Sequence, residues 1–208
     1  MGAEAAARRL GELPEWGAAR IVKCNPDAPQ LPVRAAVLSA GKLLYVAVPR
    51  LATDRPFLRL DPDRLQRNDV LPRRAVSIAH AARHGQPVEI AGMEPIDLVV
   101  CGVVAINLQG ARVGKGGGFS DLELALLVEG GMVDAQTVIA TTVHELQVLD
   151  EELPETEHDF RVDLVVTPDR LIRTGAFKRT PGILWADLTP EKIAEVPVLN
   201  ALRKRRRG

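Results

Sequence analysis

A chain of 208 residues with 46% hydrophobic and 26% charged residues has the make-up of a globular protein large enough for its own core. The 27 basic and 27 acidic residues cancel, so no overall field calls for nucleic acid or an anionic membrane. Aromatics at 3% are too few for a base-stacking platform, and Cys24 and Cys101 form no C-x-x-C pair, which argues against a disulfide framework or a structural zinc site. No run of roughly 18 apolar residues is present and the N-terminus has no signal-peptide core, so a cytoplasmic protein that does not engage membranes is expected.

In chain order, "AEAAARRLGEL" (residues 3–13) carries strong helix formers, with Ala6, Leu10 and Leu13 near one face, and Pro14 ends it. "AARIVKC" reads as a short strand broken by the turn-rich "NPDAPQLP". "VRAAVLSAGK" suits a helix with Gly41 beyond its end, and "LLYVAVP" a strand covered on both faces. The proline-punctuated "LATDRPFLRLDPDRLQRND" reads as loop. "LPRRAVSIAHAARHG" reads as one helix with Ala75, Ile78, Ala79 and Ala82 as its apolar stripe.

"IDLVVCGVVAI" (residues 96–106) is the next buried strand, followed by a glycine-rich turn and a helix beginning near Ser120. "AQTVIATTV" and "RVDLVVTP" are further buried strands, while "LIRT" and "GILWADL" read as edge or short strands. "TPEKIAEVPVLNALRKRRR" is a terminal helix interrupted at Pro197. Apolar strands alternating with helices predict a mostly parallel α/β sheet flanked by helices, in a single domain over 1–208, with the softest boundary near residues 56–69.

The turn "GARVGKGGGFSD" (residues 110–121) concentrates the chemistry. Glycines lack Cβ, so backbone N–H groups can approach an anion closely, and a helix N-terminus adds unpaired N–H groups and partial positive charge. Arg112 and Lys115 supply mobile cations, and Asp121 could hold Mg²⁺ against phosphate oxygens. A Walker A loop fails, because Gln109 and Gly116 occupy its first and last positions. G-x-G-x-x-G fails too, with Phe119 or Asp121 where its third glycine belongs. Local features alone serve equally well for a flexible glycine turn with Ser120 or Asp121 as helix cap.

Other polar residues are weaker candidates. His144-Glu145, His158-Asp159 and the i, i+4 pair His80 and His84 form no metal-binding frame, Asp163 reads as structural, and Ser77 and Cys101 have no base nearby in sequence. The "RKRRR" tail (residues 203–207) reads as a solvated basic helix end, with contact to RNA or an acidic partner as the less favoured reading.

The turn resembles the G-x-R-L-G-x-G-x-G-Y-Y-D signature of the 5-formyltetrahydrofolate cyclo-ligase (methenyltetrahydrofolate synthetase) family, and "EHDFRVDLVVTP" (residues 157–168) resembles its closing H/N-D-x-x-V-D-x-V-x-T segment. "RVGKGGGFSDLE" with "GILWADL" is most similar to the divergent methenyltetrahydrofolate synthetase domain-containing branch. The resemblance implies a NagB/RpiA/CoA-transferase-like fold and an ATP- and Mg²⁺-dependent conversion of 5-formyltetrahydrofolate, or a related folate, to 5,10-methenyltetrahydrofolate. In that chemistry the formyl oxygen is phosphorylated, N10 closes the ring and phosphate departs.

The resemblance also implies site residues. Arg112 and Lys115 match basic phosphate contacts and catalytic groups, and Gly114, Gly116, Gly117 and Gly118 the backbone cradle. Phe119 and Ser120 fall at the nucleotide and substrate contacts, with Phe119 as the aromatic against substrate. Asp121 and Asp159 match the Mg²⁺ ligands. Phe119 and Ser120 replace the family's paired tyrosines, Leu122 replaces an Arg, and Arg8 and Arg9 do not align with the Lys/Arg helix that contacts ATP in family enzymes. The alternative expectation is a non-catalytic nucleotide- or RNA-binding protein on the same scaffold.

Overall fold

The computed structural model describes residues 2–176 and 178–207, the side chains of Arg205 and Arg207 excepted. The strands are β1 (Ile21–Cys24), β2 (Leu43–Ala47), β3 (Phe57–Leu60), β4 (Gln86–Val88), β5 (Leu98–Cys101), β6 (Ala105–Asn107), β7 (Arg112–Val113), β8 (Val138–Thr142), β9 (Val148–Leu149), β10 (Leu164–Val166) and β11 (Leu171–Arg173). The helices are α1 (Ala3–Gly11), α2 (Pro14–Ala18), α3 (Leu31–Ser39), α4 (Pro62–Arg67), α5 (Pro72–Ala75), α6 (Ile78–His84), α7 (Phe119–Glu129), α8 (Pro190–Glu195) and α9 (Pro197–Arg207).

One eight-stranded sheet runs in the order β11-β10-β8-β5-β1-β2-β3-β4. Its five central strands pair in parallel, and the antiparallel pairs β10/β11, β2/β3 and β3/β4 finish the edges. The sheet is therefore mostly parallel, as the apolar runs predict. A second, three-stranded sheet, β7-β6-β9, carries the approach to the glycine turn.

Period-two alternation divides the central strands between two cores. Leu44, Val46, Leu98 and Val100 face one cluster with Ala7 and Leu10 of α1, Val33 and Val37 of α3, and Ala75 and Ala81 of α5 and α6. Tyr45, Ala47, Val99 and Cys101 face the other, with α7, Ile193 of α8 and Leu199 of α9. α7 is buried nearly all round, from Leu122 to Leu127. Among the described residues, no helix is long and apolar enough to cross a membrane.

Several elements differ from the sequence-based expectation. The stretch read as loop contains β3 and α4, the latter capped by Asp61, whose side chain accepts from the N–H groups of Asp63 and Arg64. The segment 71–85 is two helices; Ser77 leaves the helical region and caps α6. That break resets the phase, so Ala81 is buried while Ala79 and Ala82 are exposed. The run 96–106 is also divided. Gly102 ends β5, and β6 joins the small sheet. The glycine turn thus follows a hairpin and not a long central strand. "LIRT" forms the edge strand β11, whereas "GILWADL" forms no strand. Pro197 does separate α8 from α9.

Candidate functional site

The carboxyl ends of β1, β5 and β8 open onto a cleft of about 290 Å³, lined by the β1–α3 loop, Gly102, Thr142, the glycine turn and the first residues of α7. Clefts at strand carboxyl ends are the usual ligand sites of open α/β sheets. The glycine turn has the backbone an anion cradle requires. Gly116 and Gly118 lie at φ +82° and +66°, a region side chains disfavour. Gly118 is the N-cap of α7 and has no capping side chain, so neither Ser120 nor Asp121 is the cap, and the first N–H groups of the helix lack a side-chain acceptor. A Cβ on Gly117 would lie 3.1 Å from the Phe119 ring, and Gly114 has open space around it. This geometry suits phosphate oxygens.

The two cations of the motif behave differently. Lys115 is largely exposed and its Nζ donates to Asp27 Oδ1 at 2.5 Å across the cleft. Arg112 is buried: its guanidinium lies 3.6 Å from the Phe160 ring centroid and donates to Asp121. Arg112 is therefore a fixed cation, not a mobile one, and its Nε has no partner.

Burial pushes the Asp121 carboxyl above the usual aspartate value; Arg112 opposes this and the Asp159 charge adds to it. Burial also raises Asp159, but hydrogen bonds from the Thr156 N–H (2.6 Å) and hydroxyl (2.8 Å), with Arg112 nearby, more than offset it and leave it below the usual value. Asp121 lines the glycine-turn cleft and the Asp159 charge reaches it, and paired carboxylates are groups of the chemistry that Mg²⁺ takes together with phosphate and water. Among the described residues, no group of three or more His, Cys, Asp or Glu converges.

Partners absent from the motif complete the site. Ser120 Oγ accepts from Asn25 Nδ2 at 3.2 Å, and Asn25 Oδ1 accepts from the buried Lys23 Nζ at 2.6 Å. Lys23 also pairs with buried Glu123 of α7 at 2.5 Å, tying the middle of the sheet to the helix that carries Asp121. Arg34 donates to the carbonyls of Asn25 (2.6 Å) and Asp27 (2.9 Å), fixing the β1–α3 loop. Lys192 of α8 places its ammonium 3.5 Å from the Phe119 ring centroid and donates to the Gly117 carbonyl at 3.1 Å. The sequence signal for Asn25 and Asp27 is their position just past a buried strand; Lys192 has no local signal.

The weaker candidates have structural duties. His144 caps a short 3₁₀ turn, accepting from the Leu146 N–H at 3.2 Å, and Glu145 pairs with Arg170. Asp163 accepts from the Ile139 N–H (2.8 Å) and Arg179 (2.7 Å). His80 and His84 stack on one another, and Cys101 is buried with its thiol pushed up by desolvation. His158 faces Asp187 at 3.4 Å beside Asp159. In the basic tail, Arg206 lies over Trp185, while the side chains of Arg205 and Arg207 lie outside the described residues.

Comparison with known proteins places these features in a family context. The 5-formyltetrahydrofolate cyclo-ligase family model matches residues 1–168. The methenyltetrahydrofolate synthase domain-containing protein of Mus musculus is 39% identical over 208 residues, covering 98% of this chain and 55% of that protein. Its Homo sapiens counterpart is 37% identical over 207 residues, covering 98% and 53%. The chain thus spans about half the length of the curated relatives it matches. The NMR structure of Aquifex aeolicus 5,10-methenyltetrahydrofolate synthetase shares the fold, with a TM-score of 0.55 at 22% identity, covering 89% of this chain and 87% of that one.

Proposed function

This chain belongs to the 5-formyltetrahydrofolate cyclo-ligase family, and from that premise we propose that it performs the ATP- and Mg²⁺-dependent conversion of 5-formyltetrahydrofolate to 5,10-methenyltetrahydrofolate. The observation that carries the reading is the uncapped glycine turn at the N-terminus of α7, with Lys115 and Asp121 beside it. Bound ATP would supply the phosphoryl group that turns the formyl oxygen into a leaving group.

The residues act by positioning and charge neutralisation, as phosphoryl transfer requires. Backbone N–H groups from Gly114 to Gly118 would cradle the phosphates, and Lys115, now on Asp27, would be the cation within reach of them. Asp121 and Asp159 would hold the metal, while Arg112 orients Asp121 through their ion pair. Ser120, held by Asn25, borders the nucleotide side. Purified protein given MgATP and 5-formyltetrahydrofolate should develop the methenyl absorbance, and Lys115→Ala should slow it at least about tenfold. Absence of that absorbance at saturating substrates defeats the enzyme reading.

One observation favours a second reading, a nucleotide-binding protein that does not turn over folate. The Phe119 ring, expected against the substrate, already carries the Lys192 ammonium. Calorimetry with MgATP alone, comparing wild type with Lys115→Ala, separates nucleotide binding without turnover from no binding at all. An RNA-binding version predicts affinity that falls steeply with salt.

A further inference from the structure

A buried cation starts a chain of hydrogen bonds that ends at the cleft. Period-two alternation puts Val22 and Cys24 of β1 in one core and turns Lys23, 1% exposed, to the opposite face, toward α7. Its Nζ donates to Glu123 Oε2 at 2.5 Å and to Asn25 Oδ1 at 2.6 Å. Asn25, 4% exposed, is also fixed through its backbone: its N–H donates to the Val100 carbonyl at 3.0 Å and its carbonyl accepts from Arg34. The side-chain amide then has one orientation. An ammonium has only donors, so Oδ1 faces Lys23 and Nδ2 faces Ser120, whose Oγ accepts at 3.2 Å. Among the described residues, no acceptor takes the Ser120 proton. Ser120 is half-buried and lines the cleft beside the glycine turn.

A hydroxyl that accepts on one side presents its hydrogen on another. We infer that Ser120 donates to a phosphoryl oxygen of the bound nucleotide, and that Lys23 and Asn25 are positioning residues that set the direction of its proton. Desolvation offsets much of the attraction within a buried Lys–Glu pair, so what Lys23 adds to the site is direction. The inference rests on the nucleotide reading of the cleft and adds a side-chain donor to the backbone N–H groups of Gly114 to Gly118. It also makes Asn25 the switch point of the relay. With an acceptor-only group in its place, the Ser120 O–H turns from the cleft and donates to that group.

The test is calorimetry with MgATP on the full chain, comparing wild type, Ser120→Ala, Asn25→Asp and the variant carrying both changes. Ser120→Ala alone should weaken MgATP binding at least about tenfold, the loss expected when a donor to a charged oxygen is removed. With Asn25→Asp already present, Ser120→Ala should change affinity by less than about twofold, and the added charge cancels because both members of that comparison carry it. A merely structural role for Ser120 would cost the same in either background, so equal losses overturn the directed relay. Should Asn25→Asp fail to fold, Ser120→Thr and Ser120→Val, alike in shape and different in the hydroxyl, keep the test decisive. Ser120→Thr should bind MgATP at least about tenfold more tightly than Ser120→Val, and equal binding by the two overturns the donor. Ser120→Ala that binds as wild type does so as well; each of these results leaves the nucleotide reading standing. Wild type without affinity for MgATP overturns both.

Discussion

Arg112 is the buried cation of the candidate site. Its guanidinium lies over Phe160 and pairs with Asp121. Removing one partner of such a pair strands a buried charge, so Arg112→Ala should lower unfolding stability by about 3 kcal/mol in urea titrations. Arg112→Lys should recover only part of this, because an ammonium keeps the charge but loses the planar stacking. Asp121 gives a prediction in pH. Burial raises its folded pKa above the unfolded value, so its contribution is fully present below the unfolded pKa and is lost as pH rises through the folded one. In metal-free buffer, the stability of Asp121→Asn relative to wild type should therefore improve as pH rises from about 4 to 7. A flat difference would remove the buried carboxylate from the account. That Gly114, Lys115, Gly117, Gly118 and Asp121 would lie together at one cleft was legible because they are nearly contiguous in sequence. The partners were not: Lys115 meets Asp27 at a separation of 88 residues and Gln30 meets Thr142 at 112, pairings that only the folded sheet brings about.

Elements show the same division. β2 and β5 were legible as continuous apolar runs, since a strand covered on both faces leaves no other pattern. β3 is not legible in sequence because Pro56 and Arg59 break the apolar run, yet an antiparallel strand near an edge needs only part of its length buried. The merging of β5 with β6 had a different cause. Val103 and Val104 continue the apolar sequence, but Gly102 lets the chain pass close under Asp27 and turn toward the second sheet. The hairpin that delivers the glycine turn depends on Gly110, at φ +81°, where a Cβ would meet the Val162 carbonyl at 2.3 Å. Both terms oppose a side chain, and the obstructing atom is backbone. Gly110→Ala should destabilise by about 2–3 kcal/mol, and hydrogen exchange should quicken first in β6 and β7. Exchange that rises uniformly across the chain would contradict the local origin.

At the scale of the whole molecule, the Lys23–Glu123 pair couples the central strand to α7 through an interior where charges are expensive. Lys23→Met alone should cost about 3–5 kcal/mol, lowering the melting temperature by on the order of 10 °C, because Glu123 would be left unpaired. Lys23→Met with Glu123→Leu should recover most of that loss. A double variant as unstable as the single one would mean that the pair contributes more than mutual neutralisation. Fold class was legible at this scale because strand and helix patterns alternate; the second sheet was not, as its strands span only two or three residues. The outer margin of the large sheet has its own consequence. β4 is three residues long and its middle residue is Pro87, which pairs inward with Leu58 of β3 and has no N–H to offer a newcomer. With that N–H missing, this margin of the sheet is a poor template for a second copy to extend.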